Sequence, residues 1–224
     1  MGNNDICLGQ STNIYFGSTL PVATGITYQW KVFNGVSYIN EGVAINTPSI
    51  SVTPTSSTSY YCEILCNGSP ALISDTIFIN THTITVAPTF TNPKCDGLCN
   101  GSIAINATTS TGTLSYVWTP NLSTSDLATG LCSGTYTVNI DNTVGCSVTE
   151  TISIVDPIAI STTTASTDVS CYGLSNGSAS VTVSGGTSPL SFSWSPSGGN
   201  GLVASNLAPG TYTFHIQDGN NCTL

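Results

Sequence analysis

Nine cysteines are the most chemically distinctive residues of this 224-residue chain. Cysteines form disulfides, bind metals or act as nucleophiles, and their spacing indicates which of these applies. The chain has no tight C-x-x-C pair of the kind that holds zinc. So many cysteines without a metal-binding pattern predict disulfides and an oxidising, extracellular compartment.

The two histidines are poor candidates for catalysis. His82 falls in a segment between predicted domains, and His215 alternates with Phe214 and Ile216 on a predicted strand, where it faces outward. Neither histidine stands in a pattern with a nucleophile and an orienting acid. The sequence therefore predicts that the chain is not an enzyme.

The acidic residues are scattered rather than paired. The turns "DNTVG" from Asp141 and "DGNN" from Asp218 are candidates for calcium, but neither has the alternating oxygen ligands of a calcium loop. Lys31, beside Trp30, is a weak candidate for an isopeptide cross-link to an asparagine, and an extended lysine with its charge in water is favoured. We expect no cofactor, with calcium at these turns as the alternative.

Charge and hydropathy exclude two classes of partner. Lys and Arg number 2 against 11 Asp and Glu, which gives a formal charge of −9. Such a protein is repelled by nucleic acid and by anionic membranes. No apolar run reaches the roughly 18 residues of a membrane span, so we expect no membrane insertion. The opening "MGNND" is not a signal peptide, and we expect a piece of a larger exported protein.

One pattern occurs twice at an interval of 76 residues. "CDGLCNGS" returns as "CYGLSNGS", and "LSYVWTP" returns as "LSFSWSP". The recurring positions are Cys95, Trp118, Pro120, Leu131, Gly134, Tyr136 and Cys146, which become Cys171, Trp194, Pro196, Leu207, Gly210, Tyr212 and Cys222. The second and third parts of the chain are therefore copies of one module.

The same comparison predicts disulfides. Cys99 and Cys132 are both replaced in the later copy, by Ser175 and Ala208. Because bonded partners are gained or lost together, we infer a Cys99–Cys132 bond. The cysteines that both copies share predict the bonds Cys95–Cys146 and Cys171–Cys222, which would staple modules with modest cores.

The N-terminal third is a more distant copy. Cys7 precedes Trp30 by 23 residues, as Cys95 precedes Trp118. Tyr60 stands two residues before Cys62, which is the arrangement of a tyrosine corner in an immunoglobulin-like sandwich. Cys66, followed by Asn67-Gly68, matches the closing cysteines, so we favour Cys7–Cys66 with Cys7–Cys62 as the alternative. The predicted core residues are Trp30, Trp118, Trp194, Tyr60, Tyr136 and Tyr212.

Alternating apolar residues predict strands, as in "SISVTPT", "TYTVNI" and "SVTETISIV", and no helical stripe appears. The predicted fold is all-β, with tandem immunoglobulin-like (PKD-like) antiparallel β-sandwiches in a string. Prolines between the units place the domains at 1–81, 82–157 and 158–224. The repeat register ends the third domain before its last strand.

The order C-x-G-x-x-N-G-S, aromatic-x-Trp, L-x-x-G-x-Y and closing cysteine resembles SprB repeats over about residues 83–224. These repeats belong to very large cell-surface adhesins of gliding Bacteroidetes, and the first unit resembles the immunoglobulin-like or PKD-like modules beside them. Cys99 and Cys132 are extra to the pattern, and the closing motif is altered. The resemblance implies type IX export, attachment to the outer membrane through the parent protein, and a role in adhesion and surface motility.

We therefore expect an extracellular structural and adhesive segment of a surface adhesin involved in attachment and gliding. Expected partners are a surface polysaccharide or other extracellular ligand and the neighbouring repeats of the same chain. The alternatives are a carbohydrate-binding module, with Tyr15, Tyr38 or Tyr172 as sugar platforms, and an accessory stalk of a secreted hydrolase.

Overall fold

The computed structural model describes residues 4–16 and 24–224, and every regular element in them is a β-strand. The nineteen strands, β1–β19, form several small sheets. The predicted all-β, immunoglobulin-like class is confirmed. No helix in the described part is long and apolar enough to cross a membrane.

The described residues between 5 and 82 form two sheets that enclose one apolar cluster. Strands β1-β8-β6-β3-β4 form the larger sheet, with β7 paired to β6, and β2 pairs with β5. The strands are β1 (Asp5–Cys7), β2 (Thr12–Tyr15), β3 (Ile26–Phe33), β4 (Tyr38–Asn40), β5 (Ser49–Val52), β6 (Thr58–Cys66), β7 (Ser69–Ile73) and β8 (Ile77–His82). The pair β1–β8 is parallel, which differs from the predicted all-antiparallel arrangement.

The core of this part follows from period-two alternation. Along β6, alternate side chains from Tyr60 to Ile64 are buried, so one face of the strand meets the core. Trp30 of β3 lies opposite Cys62 in the sheet register, and both are almost fully buried. The Asn67-Gly68 turn has positive φ at both residues, which is the backbone that a tight β-hairpin requires.

The later strands repeat one arrangement. Sheets β12-β10-β9 and β11-β13-β14 are followed by sheets β15-β16-β18 and β17-β19. These strands are β9 (Ile84–Thr91), β10 (Gly101–Thr109), β11 (Leu114–Thr119), β12 (Leu127–Leu131), β13 (Gly134–Asn142), β14 (Ser147–Ile154), β15 (Ser161–Thr167), β16 (Gly177–Ser184), β17 (Ser191–Ser195), β18 (Val203–Leu207) and β19 (Thr213–Gln217). The second set repeats the first except for a counterpart of β14.

The chain divides into two compact units. The first contains residues Met1–Ala87, Asn106–Val117 and Val138–Glu150, and the second contains Pro88–Ile105, Trp118–Thr137 and Thr151–Leu224. Residues 82–157, predicted as one domain, contribute to both units. The three-domain division therefore stays a prediction, and we call 1–81, 82–157 and 158–224 the first, second and third modules as sequence terms.

Candidate functional site

Three disulfides are formed: Cys7–Cys146, Cys95–Cys222 and Cys99–Cys132. The last is the bond inferred from the joint loss of both cysteines in the later copy. The predicted bonds Cys7–Cys66, Cys95–Cys146 and Cys171–Cys222 are not formed. Instead Cys62, Cys66 and Cys171 are free thiols, and all nine cysteines lie in the described residues.

Strand length explains why the predicted bonds within modules fail. Cys7 pairs with His82 beside the Thr58 end of β6, whereas Cys66 is at the other end of that nine-residue strand. At about 3.3 Å per residue, the two ends of β6 are about 26 Å apart, far beyond the roughly 7 Å that a disulfide allows between Cα atoms. We call the first cysteine of a module its opening cysteine and the cysteine near the module's end its closing cysteine. The two therefore lie at opposite ends of the module's strands.

Each of the three opening cysteines begins a turn of the same type. The carbonyl groups of Cys7, Cys95 and Cys171 accept hydrogen bonds from the N–H three residues later, at 2.9, 3.1 and 3.2 Å. In each turn the third residue is a glycine with φ of 83°, 72° or 81°, which is the left-handed conformation that a type II turn needs. The motif C-x-G therefore fixes a cysteine at the first position of a tight turn.

The two bonded closing cysteines, Cys146 and Cys222, also lie in turns of one type. Cys146 N–H donates to the side-chain oxygen of Asn142 at 2.8 Å, and Cys222 N–H donates to that of Asp218 at 2.9 Å. Asp218 also accepts from the N–H of Thr187 and of Asn220. These backbone bonds, with Thr187 the largest contributor, hold the pKa of Asp218 below its ordinary value. In the structure this candidate calcium ligand organises a turn.

Each of the two long disulfides joins the opening turn of one module to the closing turn of the next. Cys7 of the first module bonds Cys146 of the second, and Cys95 of the second bonds Cys222 of the third. Hydrogen bonds accompany each junction: Leu8 N–H donates to the His82 carbonyl, and the Asn220 amide donates to the Lys94 carbonyl. We call this staggered pattern the disulfide relay.

His82 belongs to the first junction of the relay. It ends β8, is only 7% exposed, and its Nε2 lies 2.9 Å from Asp5 Oδ1. The hydrogen bond to His82 is the main reason that the pKa of Asp5 is lowered, and Asn80 adds a second bond. His82 is the last residue of β8 and is buried there, which the sequence did not predict, while the domain boundary predicted at this residue stays a prediction. His215 is exposed on β19, as expected.

The described residues contain no group of three His, Cys, Asp or Glu side chains that could hold a metal ion. Lys31 forms an ion pair with Glu63, with Nζ and Oε2 3.2 Å apart. The structure thus assigns Lys31 a carboxylate partner on the neighbouring strand β6.

Four of the six predicted core aromatics are buried. Trp30, Trp118, Tyr60 and Tyr136 are at most 8% exposed, whereas Trp194 and Tyr212 are partly exposed. Tyr136 donates to the Cys132 carbonyl at 2.9 Å, and Tyr212 donates to the Ala208 carbonyl at 3.1 Å, so both form tyrosine corners. Tyr60, for which the sequence predicts the corner, lies in the core cluster, and burial raises its pKa to about 12.

A groove of about 610 Å³ explains the exposure of the third module's aromatics. Trp194, Tyr212, Leu207 and Gly177 line it. In the second module, the glycine corresponding to Gly177 is Gly101, and a Cβ there would lie 3.2 Å from Ile154 of β14. The groove therefore occupies the place that β14 fills in the earlier copy.

An aromatic cluster on the first module was not predicted. Tyr38 lies between Phe33 and Tyr61, with ring centroids 5.2 and 4.8 Å away, and its hydroxyl is 2.7 Å from that of Ser59. Tyr61 follows the buried Tyr60, so it points to the opposite face of β6. That alternation is the sequence signal that could have identified the cluster. The other two candidate sugar platforms, Tyr15 and Tyr172, are exposed.

Comparison with known proteins finds one family model that matches a part of the chain. The SprB repeat model matches residues 163–199, within the third module. A search of curated proteins gives no match. Among solved structures, the C-terminal 282-residue fragment of intimin, in complex with the translocated intimin receptor's intimin-binding domain, is 12% identical with a TM-score of 0.44. The alignment covers 72% of this chain and 64% of the fragment.

Two immunoglobulin-type structures give weaker likenesses. A marsupial T cell receptor is 10% identical with a TM-score of 0.39, and the alignment covers all of this chain and 98% of the receptor. The amphioxus IgVJ-C2 molecule is 15% identical with a TM-score of 0.30, over 67% of this chain and 98% of that molecule. The SprB repeat model thus matches residues 163–199, which lie within the region that the sequence resemblance assigns to such repeats.

Proposed function

We propose that this chain is a structural and adhesive segment of a large cell-surface adhesin. The SprB repeat and the three disulfides indicate an extracellular, adhesin-type segment. The observation that carries the proposal is the disulfide relay, because it bonds successive modules to one another. Cross-linking between modules is a property suited to a protein that transmits load.

The relay is also expected to stabilise the fold. Its two bonds join cysteines 139 and 127 residues apart. In the chain-entropy treatment, each such bond removes about 5 kcal/mol of unfolded-state entropy, although native strain usually reduces this figure. Resistance to unfolding is useful outside the cell, where the chain offers trypsin-type proteases only Lys31 and Lys94.

Further parts of the proposal rest on the resemblance to SprB repeats. We propose export by the type IX system, attachment to the outer membrane through the parent protein, and a role in gliding motility. We propose a non-catalytic role that needs no cofactor, because the Asp5–His82 pair adjoins a disulfide instead of a free nucleophile. Calcium binding at the turns of Asp141 and Asp218 stays a prediction that a calcium titration can test.

Adhesion under flow tests this function. Beads coated with the 224-residue protein should be retained on surfaces bearing bacterial extracellular polysaccharide more strongly than beads coated with serum albumin. Beads carrying the same protein after reduction and alkylation are the matched control, because they keep the composition and lose the relay. Equal retention of all three kinds of bead would contradict an adhesive role.

The aromatic cluster favours carbohydrate as a second candidate function. Tyr61, which packs against Tyr38, donates a hydrogen bond from its hydroxyl to Glu63 of the Lys31–Glu63 ion pair, so apolar ring faces and hydrogen-bonding groups occur together. Sugar rings bind to such combinations through stacking and polar contacts. An accessory stalk of a secreted hydrolase remains an alternative prediction from the sequence.

Glycan binding by a Tyr38→Ala variant tests the second candidate. If the cluster binds sugar, this variant should lose at least tenfold in affinity for a glycan that the unmodified protein binds. Phe90→Ala removes an exposed aromatic ring outside the cluster and serves as the control. Unchanged affinity in Tyr38→Ala would exclude the cluster as the sugar site.

A further inference from the structure

The aromatic cluster of the first module continues into a row that crosses four strands. Tyr38 of β4 is paired with Phe33 of β3. Ser59 of β6 is paired with Phe78 of β8. The register between β3 and β6 also brings Ser59 opposite Phe33, one step beyond the last pair of the ladder. Paired side chains point to the same face of a sheet, so these four residues form a line that we call the aromatic row.

The aromatic row is on the face of the sheet that points away from the core. Tyr60 is buried, so its neighbour Ser59 on β6 points to the opposite face. Phe33 is 37% exposed and Phe78 is 51% exposed. The Tyr38 hydroxyl lies 2.7 Å from that of Ser59, two strands away, so the Tyr38 ring extends along the row. The row therefore offers aromatic surface to the solvent.

A row of polar side chains runs beside the aromatic row. Lys31 is paired with Asn40 on one side and with Tyr61 on the other. These three residues, which we call the polar row, are two positions away from the aromatic row along their strands, or about 7 Å. Tyr61 donates a hydrogen bond to Glu63, and Lys31 forms an ion pair with the same carboxylate. Hydrogen-bonding groups therefore line one side of the aromatic row.

The two rows together match the surface of a sugar. One face of a pyranose ring carries C–H groups, which pack on aromatic rings, and its rim carries hydroxyl groups, which need hydrogen-bond partners. Phe33 and Phe78 are two strands apart, or about 10 Å. Two residues of a fully extended β-1,4-linked glycan span a similar length, so both rings can stack on one chain of this kind.

The charges of the molecule favour a neutral glycan. Lys31 is already paired with Glu63, so the ion pair adds no net charge to the polar row. The whole chain carries a formal charge of −9 and has only one other Lys or Arg side chain, Lys94. Like charges repel each other, so an acidic polysaccharide is disfavoured.

We propose that the aromatic row and the polar row bind a neutral, extended β-1,4-linked glycan whose chain crosses the strands from Tyr38 to Phe78. The inference rests on the second candidate function, carbohydrate binding, and it adds the class of glycan and a further stacking position at Phe78. The aromatic row spans three strand spacings, or about 14 Å, so only an oligosaccharide covers it. Affinity should therefore increase with the length of the glycan chain.

Calorimetric titration of the 224-residue protein tests the proposal, with cellohexaose, β-1,4-mannohexaose, their disaccharides and hexagalacturonic acid as probes. The better of the two neutral hexasaccharides should bind at millimolar concentration or below, at least tenfold more tightly than its disaccharide, and the acidic hexamer should not bind. Phe78→Ala should lose about tenfold in affinity for that hexasaccharide, because one stacking ring is removed. Phe90→Ala, which removes a similarly exposed ring outside the two rows, is the control and should bind as the unmodified protein does.

If neither neutral hexasaccharide binds, the proposal is wrong. Carbohydrate binding itself then survives only if a glycan of another linkage, such as laminarihexaose, binds and is weakened by Tyr38→Ala; otherwise the aromatic row favours a protein partner. Hexasaccharide binding that Phe78→Ala leaves unchanged would also overturn the proposal, because the chain would not reach the last ring. Preferential binding of hexagalacturonic acid would contradict a neutral ligand. Equal melting temperatures of Phe78→Ala and the unmodified protein show that a loss of affinity is not a loss of folding.

Discussion

Trp118 and Trp194 occupy the same position in two copies of one module, yet their surroundings differ. The indole N–H of each donates to a backbone carbonyl at 2.9 Å, that of Ser125 or of Gly201. Trp118 is 2% exposed, whereas Trp194 is partly exposed and borders the groove. The local sequence around each tryptophan therefore fixes its hydrogen bond but not its burial.

The difference lies in one strand. In the earlier copy β14 follows the closing turn, and its Ile152 and Ile154 are buried. In the later copy Leu224, two residues after Cys222, exchanges two hydrogen bonds with Ile216, each 3.0 Å long, and no described strand covers Trp194 as β14 covers Trp118. The module core is thus completed by a strand whose side chains are distant in sequence from the tryptophan that they cover.

Replacing the two tryptophans should produce the largest difference in the free energy of unfolding. Trp118→Ala should lower the free energy of unfolding by about 3–5 kcal/mol, because it removes a fully buried ring. Trp194→Ala should cost less than half of that, since solvent already reaches the ring. Urea unfolding of the two variants measures both values. Equal losses would show that the third module is as well packed as the second.

Ile154→Ala should have the next largest effect, about 2–4 kcal/mol, because the side chain is 2% exposed and contacts the backbone near Gly101. The matched control is Val155→Ala on the exposed face next to it, which should change stability by less than about 0.5 kcal/mol. If the two variants unfold at the same urea concentration, β14 does not complete the core as described.

Extending the 224 residues by a strand like β14 should have a smaller, positive effect on stability. Adding the β14 sequence TETISIV after Leu224 should bury Trp194, shift its fluorescence to shorter wavelength and raise Tm by about 5 °C or more. An extension with both isoleucines replaced by aspartate, TETDSDV, has the same length and should do neither. A Trp194 emission that stays unchanged with TETISIV would show that the groove does not accept this strand.

The smallest expected effect is a pH dependence of stability that comes from the closing turn of the third module and not from that of the second. Asn142 is neutral, whereas the pKa of its counterpart Asp218 is lowered by the N–H groups of Thr187, Cys222 and Asn220. A lowered folded-state pKa favours the charged form, so Asp218 stabilises the third module above its ordinary pKa of 3.8, and this contribution is lost as the pH falls through the lower folded value.

Melting curves of the protein and of Asp218→Asn between pH 7 and pH 2 measure this contribution. The variant should melt at a lower temperature at neutral pH, and the difference should narrow in acid. A constant difference at every pH would contradict the assigned role of the carboxylate.

The sequence predicted the fold class and one disulfide for identifiable reasons. Cys99 and Cys132 vary together between the copies, so the sequence itself names the pair. Cys95 and Cys146 instead recur in both copies as Cys171 and Cys222, so recurrence cannot show which opening cysteine meets which closing one. Strand length decides that question, because it places the two cysteines of one module at opposite ends.

The aromatic cluster shows a different limit. Alternation along β3 and β6 identifies which side chains leave the core, but the meeting of Tyr38 with Phe33 and Tyr61 depends on the sheet order β6-β3-β4. The burial of His82 was missed for a similar reason, since it depends on the parallel pairing of β8 with β1. Residues brought together by long-range pairing were thus the ones that local patterns missed.

Pulling single molecules from their termini tests the disulfide relay most directly. With the relay, the shortest covalent path runs through residues 1–7, 132–146, 95–99 and 222–224, about 30 residues, so the oxidised chain should extend to only about 110 Å. After reduction, the whole chain should extend to about 800 Å. An oxidised length near 240 Å would contradict the relay, because that is the value for bonds Cys7–Cys66, Cys95–Cys146 and Cys171–Cys222 within single modules.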